Sequence, residues 1–427
     1  MRGLHRGKRL VCALCAAAVG IAASSCGNNE PEIQHIPIEL PTRVSVSWWG
    51  NELRSDYTFQ GIREYEQKHK DIDIVPNTGD FTGYKENLDT LMSCGKEPDI
   101  VMINSAWLPE YSPEGEGFAD LYEYSDILKL SNFSEKELSY GTMNGRLNAL
   151  PIALNAVTFY YNKGLLDSYG LQVPTTWEDF FDCAKAMSAD GKYPLVSSYK
   201  HYWKMLIARE EQLTGKEAFG SENWFTEENV ASMFEFFKRL SDEKVIPPNE
   251  YEKSDFLDGK VACALLWVSD GQFYVSPLAE EGGEVVIGDY PVEQDYKRYG
   301  WYVKPTSLYA ISKNARHPKE AAEFLDYLMN DSRMAELQGT EKGIPLSRSA
   351  LETLGGRQML SGVTYEAATK LNDSSDSFSL MPPLLEDNER INRFFEYYEL
   401  YYYGRMTARD AAEIFVSKYP FRPSLRG

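Results

Sequence analysis

Between Val44 and Ile103 the chain alternates short strand-like runs with helix-like spacing, and that rhythm restricts the fold more than any other stretch. Val44-Ser45-Val46-Ser47-Trp48-Trp49 alternates with the period of a strand. Gly50-Asn51-Glu52 follows, then a helix with apolar residues at Phe59, Ile62 and Tyr65, for which Ser55 is the expected N-cap. Ile72 to Val75 reads as a second strand. Tyr84, Leu88, Leu91 and Met92 fall at i, i+4, i+7 and i+8 of a second helix, and Pro98 to Ile103 is a short apolar strand behind a Gly-Lys-Glu-Pro turn. A β-α-β-α-β order implies a mostly parallel sheet flanked by helices.

A new segment begins near Asn148. Pro151 to Tyr161 is strand-rich, and Thr176 with Asp179 forms a capping-box variant that opens a helix through Phe180, Phe181, Ala184 and Met187. Val261 to Trp267, Glu284 to Tyr290 and Ser307 to Ser312 read as further strands, and Pro318 sits in the first turn of a helix using Ala321, Ala322, Leu325 and Leu328. From Leu351 onward the chain reads as helices and turns. Asp373 to Ser379 is expected to be a loop, and Tyr401-Tyr402-Tyr403 a packed helical stretch.

The first residues concern location. Arg2, Arg6, Lys8 and Arg9 precede an apolar run from Leu10 to Ala23, and Ser24-Ser25-Cys26 follows, the layout of a secretory leader ending at a lipid-carrying cysteine. The run is too short for a membrane span. Lipid on Cys26 would hold the protein at the outer face of a bacterial cytoplasmic membrane, and residues 26–41 read as the anchor and its tether. Loss of residues 1–25, which hold four basic and no acidic side chains, moves the formal charge from −20 to −24. That surface argues against nucleic acid as a partner. About 385 residues remain, more than one core usually holds, so two domains are expected. Cys94, Cys183 and Cys263 are too widely spaced for a metal knuckle and read as buried free thiols.

Catalytic signatures are sparse. No GxSxG elbow, HExxH pair or phosphate-cradling glycine loop occurs, and His69, His201 and His317 stand without a second histidine at ligand spacing. With 64 acidic residues a glycosidase-type carboxylate pair can always be picked, so such a pair carries no information. No cofactor and no metal are expected. Aromatic residues speak louder, because many lie at element ends beside amides and acids: Trp48 and Trp49 with Asn51 and Glu52, Asn104 near Trp107, Tyr202 and Trp203, Trp267 with Asp270, and Trp301. Pyranose rings present apolar C–H faces to flat aromatics while their hydroxyls need fixed partners, so such mixtures suit carbohydrate.

Ordered motifs extend this reading. Gly95-Lys96-Glu97-Pro98-Asp99-Ile100 comes first, then Asn148-Ala149-Leu150-Pro151-Ile152 running to Tyr160-Tyr161-Asn162-Lys163-Gly164-Leu165-Leu166 and Val173-Pro174-Thr175-Thr176-Trp177. Phe256-Leu257-Asp258-Gly259-Lys260-Val261-Ala262, His317-Pro318-Lys319-Glu320-Ala321-Ala322, Gly343-Ile344-Pro345-Leu346 and Gly404-Arg405-Met406-Thr407 complete the series. In this order they resemble the family 1 extracellular solute-binding proteins, sugar-binding lipoproteins of ABC importers related to the maltose-binding protein. The resemblance implies an α/β, periplasmic-binding-protein-like fold of type II: two lobes, each a helix-flanked mixed sheet, with the ligand cleft between them. It puts lobe 1 at roughly 42–153 plus 291–340 and lobe 2 at 154–290 plus 341–427.

The resemblance also implies a function without chemistry: a monomer captures a carbohydrate, closes, and hands it to the permease subunits of the importer. It assigns ligand contacts to the loop holding Trp49, Asn51 and Glu52, to Asn104 and Trp107, and to Asn155 at the first crossing. In the second lobe the contacts fall near Tyr202 or Trp203 and near Trp267 with Asp270. Members usually carry a Gly and then a Trp after the Gly-Lys-x-Ala strand; here the tryptophan comes early, so either Trp267 or Phe273 is the stacking residue. A non-sugar solute and a surface glycosidase remain as alternatives.

Overall fold

The computed structural model describes residues 40–220, 224–248 and 252–419. The leader, Cys26 and most of the tether lie outside the described residues. From Pro41 onward the chain forms one compact unit, built on two helix-flanked sheets and a small connecting ribbon.

The first sheet has the order Ile72–Gly79, Thr42–Trp49, Ile100–Ile103, Leu308–Ile311, Ala149–Pro151. Its first three strands are parallel, as the local rhythm requires, with Val44 opposite Ile74 and Val46 opposite Ile100. Leu308–Ile311 returns from far along the chain and pairs antiparallel with both neighbours. Period-two alternation sends Val44, Val46 and Trp48 into the core, each at 0 % exposure. Ser45 instead ties its amide and hydroxyl to the Asp99 carboxylate at 2.8 and 2.6 Å, which fixes the approach to the third strand.

The helix after the first strand begins earlier than its apolar spacing suggests. It runs Glu52–Lys68, and its N-cap is Asn51, whose Oδ1 accepts from the Arg54 amide at 2.9 Å. Ser55 is not the cap; it lies inside the first turn, its hydroxyl 3.3 Å from that of Thr78. An asparagine placed directly behind a strand-ending glycine can satisfy an orphan N–H one turn sooner.

The second sheet has the order Val285–Ile287, Val157–Asn162, Val261–Trp267, Tyr193–Val196. Val261–Trp267 is antiparallel to Val157–Asn162 and parallel to Tyr193–Val196. Helix Trp177–Met187 opens with the expected Thr176/Asp179 capping box. Helices Tyr199–Thr214, Glu227–Asp242, Asn388–Tyr402 and Ala408–Lys418 pack on one another in this half.

Two strands carry the chain between the sheets. Leu154–Asn155 leaves the first half and Tyr302–Pro305 returns to it, antiparallel, with Asn155 opposite Lys304. Beside them Ala153 bridges Pro345, and the Leu346 amide donates to the Ile152 carbonyl at 3.0 Å.

Residues 341–356, expected in the second lobe, lie with the first. Glu341 is paired with Arg54 and Tyr57, Ser347 and Ser349 bond to Asn330, and helix Arg348–Gly356 packs on Pro318–Asn330 and Ser332–Gln338. Asp373–Ser379 is likewise no plain loop, since helix Val363–Ser374 runs into it and a 3-10 turn, Ser375–Ser377, continues it. Cys183 and Cys263 are buried free thiols, but Cys94 is exposed at the end of its helix. Tyr401 packs near Phe234, whereas Tyr403, just past the helix, is 70 % exposed.

Candidate functional site

Strand register brings one edge of each sheet to the passages. Trp49, Gly79 and Ile103 end three parallel strands on one side of the first sheet, and Leu308, which follows the returning passage, is opposite Ile103. In the second sheet Trp267 ends its strand opposite Val157, just beyond the outgoing passage. The turns after these strands therefore gather around the connecting ribbon. Open α/β sheets bind ligands outside the carboxyl ends of their strands, where connections diverge in this way.

In the first half the gathered turns form an aromatic cluster. Trp49 lies 5.5 Å from Trp107 and 5.2 Å from Tyr84, and Phe81 stacks on Trp107 at 5.9 Å. Phe81 is 54 % exposed, so its ring carries this apolar surface outward. Behind the cluster Arg54 donates from Nη1 to the Trp49 carbonyl at 3.0 Å and grips Glu341 with two 2.9 Å bonds. The Tyr57 hydroxyl donates to the same carboxylate at 2.7 Å. Burial opposes the charge of Glu341, but these donors outweigh it and hold the carboxyl below its usual range. Next along the chain, Lys342 is buried, donates to the Tyr309 hydroxyl at 3.0 Å, and lies 5.1 and 5.6 Å from the Tyr309 and Tyr57 ring centres. Burial, then Arg54, lowers its amine to about 7.

At the passages Asn155 donates to the Ser269 hydroxyl at 3.0 Å and accepts from the Ser269 amide at 3.3 Å, linking the outgoing strand to the turn after Trp267. The Ser269 hydroxyl also reaches Asp270 at 3.4 Å, and burial raises the Asp270 carboxyl. The Trp267 ring holds two ammonium groups, Lys304 at 4.7 Å and Lys204 at 5.0 Å. Glu386 pairs with Lys304 and lies 3.7 Å from Lys204. Burial lowers Lys204 to about 8 and keeps His201, edge-on to Trp267, neutral down to about 3. Lys204 shares a helix face with Glu211, two turns on, and fully buried Glu211 binds the Tyr302 hydroxyl, the Ala218 amide and Arg298. The helix bearing Lys204 and the strand bearing Lys304 are thereby fastened together.

The sequence candidates separate by environment. Trp49 and Trp107 meet in the first cluster, while Asn155, Trp267 and Asp270 meet at the passages. Asn51 and Asn104 use their Oδ1 atoms to cap the Glu52–Lys68 helix and the 3-10 turn Ser105–Trp107; Glu52 is exposed in the first turn of the former. Trp48, Trp203 and Trp301 are core residues with at most 1 % exposure, and the Tyr202 hydroxyl is occupied by the Ser197 amide at 2.9 Å. For Trp48 the signal was available, since it is in phase with Val44 and Val46. Sequence reasoning missed Phe81, Arg54, Glu341, Lys204, Lys304 and Glu386. The usable sign was a lysine inside an apolar strand, Tyr302-Val303-Lys304-Pro305.

Two cavities complete the picture. A narrow crevice is lined from both halves by Leu154, Ser269, Gln272, Thr306, Glu341 and Thr364, and the Thr306 and Thr364 hydroxyls are buried there with no hydrogen bond inside the protein. A larger cavity of about 380 Å³ is elsewhere, among Tyr199, Tyr202, Phe237, Pro248, Tyr398 and Tyr402. It shares only Tyr202 with the candidates above. Among the described residues no group of three or more His, Cys, Asp or Glu is placed to hold a metal.

A family described as bacterial extracellular solute-binding protein matches residues 60–359. The chain belongs to this family. The solute-binding protein is 22 % identical over 311 residues to the multiple sugar-binding protein of Streptococcus mutans, spanning 67 % of this chain and 71 % of that one. It is 21 % identical over 278 residues to a Brucella abortus binding protein, of whose length it spans 66 %. Among solved structures it resembles a periplasmic oligogalacturonide-binding protein from Yersinia enterocolitica in complex with saturated digalacturonic acid, with TM-score 0.73, 25 % identity, and coverage of 89 % and 100 % of the two chains. A de novo designed cysteine esterase, ECH19, has TM-score 0.81 and 26 % identity, with coverage of 89 % and 97 %.

Proposed function

We propose that this solute-binding protein captures an oligosaccharide between its two halves and delivers it to the permease of an ABC importer. The observation that carries the reading is the convergence, at the passages, of an outward aromatic surface from the first half with polar side chains from both halves and from the passages themselves. Phe81, Trp49 and Trp107 supply flat apolar faces; Asn51, Glu52 and Asn104, then Asn155, Thr306 and Asp270, supply hydrogen-bond groups for hydroxyls. Trp48, Tyr202, Trp203 and Trp301 are outside this set because their rings fill the interior. The names of the Streptococcus and Yersinia relatives support carbohydrate as the ligand class. The passage strands would act as the hinge, and a sugar touching both halves would shift the population toward the closed form. A lipid on Cys26 would keep this monomer beside its permease.

The two buried thiols are not primed as esterase nucleophiles. Burial raises Cys183 to about 11 and Cys263 well above its ordinary value, opposite to an activated nucleophile.

A thermal-shift screen of residues 41–427 against mono- and oligosaccharides tests the reading. One sugar class at a hundred times its dissociation constant should stabilise the fold by about 2.7 kcal/mol. Phe81→Ala, at an exposed position, should weaken that ligand about tenfold, or about 1.4 kcal/mol, without changing the unliganded melting point. Failure of every sugar to shift the melt would sink the proposal.

A further inference from the structure

The charge around Trp267 runs against the charge of the molecule. In a chain of formal charge −20, three lysines, Lys200, Lys204 and Lys304, act on the single carboxylate Glu386. Lys204 and Lys304 hold their ammonium groups 5.0 and 4.7 Å from the centre of one indole ring. Lys204 is 3 % exposed and stacks one turn above Lys200, whose carbonyl lies 3.4 Å from its Nζ. Lys304 is on the returning passage strand opposite Asn155, and Lys200 is exposed at the start of its helix. Gathering like charges at a partly buried place costs free energy. Asp270 lies on the next turn, where burial raises its carboxyl.

An ammonium has three donors, and Glu386 accounts for one on Lys304. We propose that the remaining donors of Lys304, with Lys200 at the rim and the buried charge of Lys204 behind, form a subsite for the carboxylate of an acidic sugar. The ligand class is thus a uronic-acid-bearing oligosaccharide. This rests on the carbohydrate reading above and names its substrate class. A carboxylate entering here gains two charge-assisted hydrogen bonds and offsets part of the local excess of positive charge.

Calorimetric titration of the intact binding protein with digalacturonic acid and with the neutral digalactose tests the proposal. The acid should bind at least tenfold tighter than the neutral disaccharide and weaken as sodium chloride rises from 50 to 500 mM. Lys304→Met should cost the acid about tenfold while changing a neutral sugar's affinity less than threefold; Lys304→Arg should retain the preference. Lys200→Met, an exposed change that leaves the fold alone, should cost the acid a smaller factor, and Glu386→Gln should tighten it. Equal binding of acid and neutral forms, or equal losses for both in Lys304→Met, would overturn the acidic subsite. Binding of other neutral sugars but not of digalacturonic acid would also overturn it, with the carbohydrate reading intact; no binding of any sugar would overturn both.

Discussion

Glu341→Ala should lower the unfolding free energy by about 3–5 kcal/mol, the usual cost of removing one partner from a buried ion pair. Arg54 and Glu341 are each 16 % exposed, so solvent screens them little. Their contact is bidentate, and the Tyr57 hydroxyl adds a third bond to the same carboxylate. Without Glu341, the Arg54 guanidinium would face buried Lys342 with no counter-charge. The damage reaches further than the pair. Arg54 also holds the carbonyl of Trp49, and the Thr340–Gly343 turn leads to Pro345, which bridges Ala153 at the foot of the outgoing passage. Denaturant unfolding at constant m-value measures the effect. A loss below about 1 kcal/mol would mean that water screens this pair as it does surface ion pairs.

Lys342 sets the second large effect, which appears in the pH dependence of stability. Its native amine is lowered to about 7 against 10.5 in an unfolded chain, so between these values the unfolded state carries a proton that the native state lacks. Stability must then rise with pH across that window, by up to about 1.4 kcal/mol per pH unit, or roughly 2 kcal/mol from pH 7.5 to 9. Below pH 7 both states are protonated and the slope vanishes. Lys204, lowered to about 8, adds a slope of the same sign above that pH. Lys342→Met should therefore abolish the rise between pH 7 and 8 and roughly halve it above pH 8, where the share of Lys204 remains. Urea unfolding at pH 7, 8 and 9 distinguishes them, all below the range where the tyrosines titrate. A variant with the slope of the parent protein would show that Lys342 is charged inside the fold.

How much of this was legible in the sequence depends on the range of the interactions. Val261–Trp267 could be read to the residue, because an unbroken apolar run is bounded by Gly259-Lys260 and by Ser269-Asp270. The parallel trio of the first sheet followed from local β-α-β order. Leu308–Ile311 as its antiparallel neighbour did not, since no nearby residue encodes a partner so distant in sequence. The site divided in the same way. Trp49 and Trp107 follow strands and meet where their turns converge. Trp203 and Trp301 have similarly polar neighbours in sequence yet lie in the core, because neighbour identity does not say which face of an element is covered. Lys204 was hidden for the opposite reason: its helix is buried over most of its circumference, so no polar stripe marked the lysine.

The most direct test of capture between the two halves is hydrogen exchange, read by mass spectrometry, with and without a saturating oligosaccharide. Slowed exchange should appear together in segments 49–54, 79–84 and 104–108 of the first half, in 267–273 of the second, and at passages 153–156 and 302–306. Protection confined to one half, or centred on the tyrosine-lined cavity around Tyr398 and Tyr402, would contradict it.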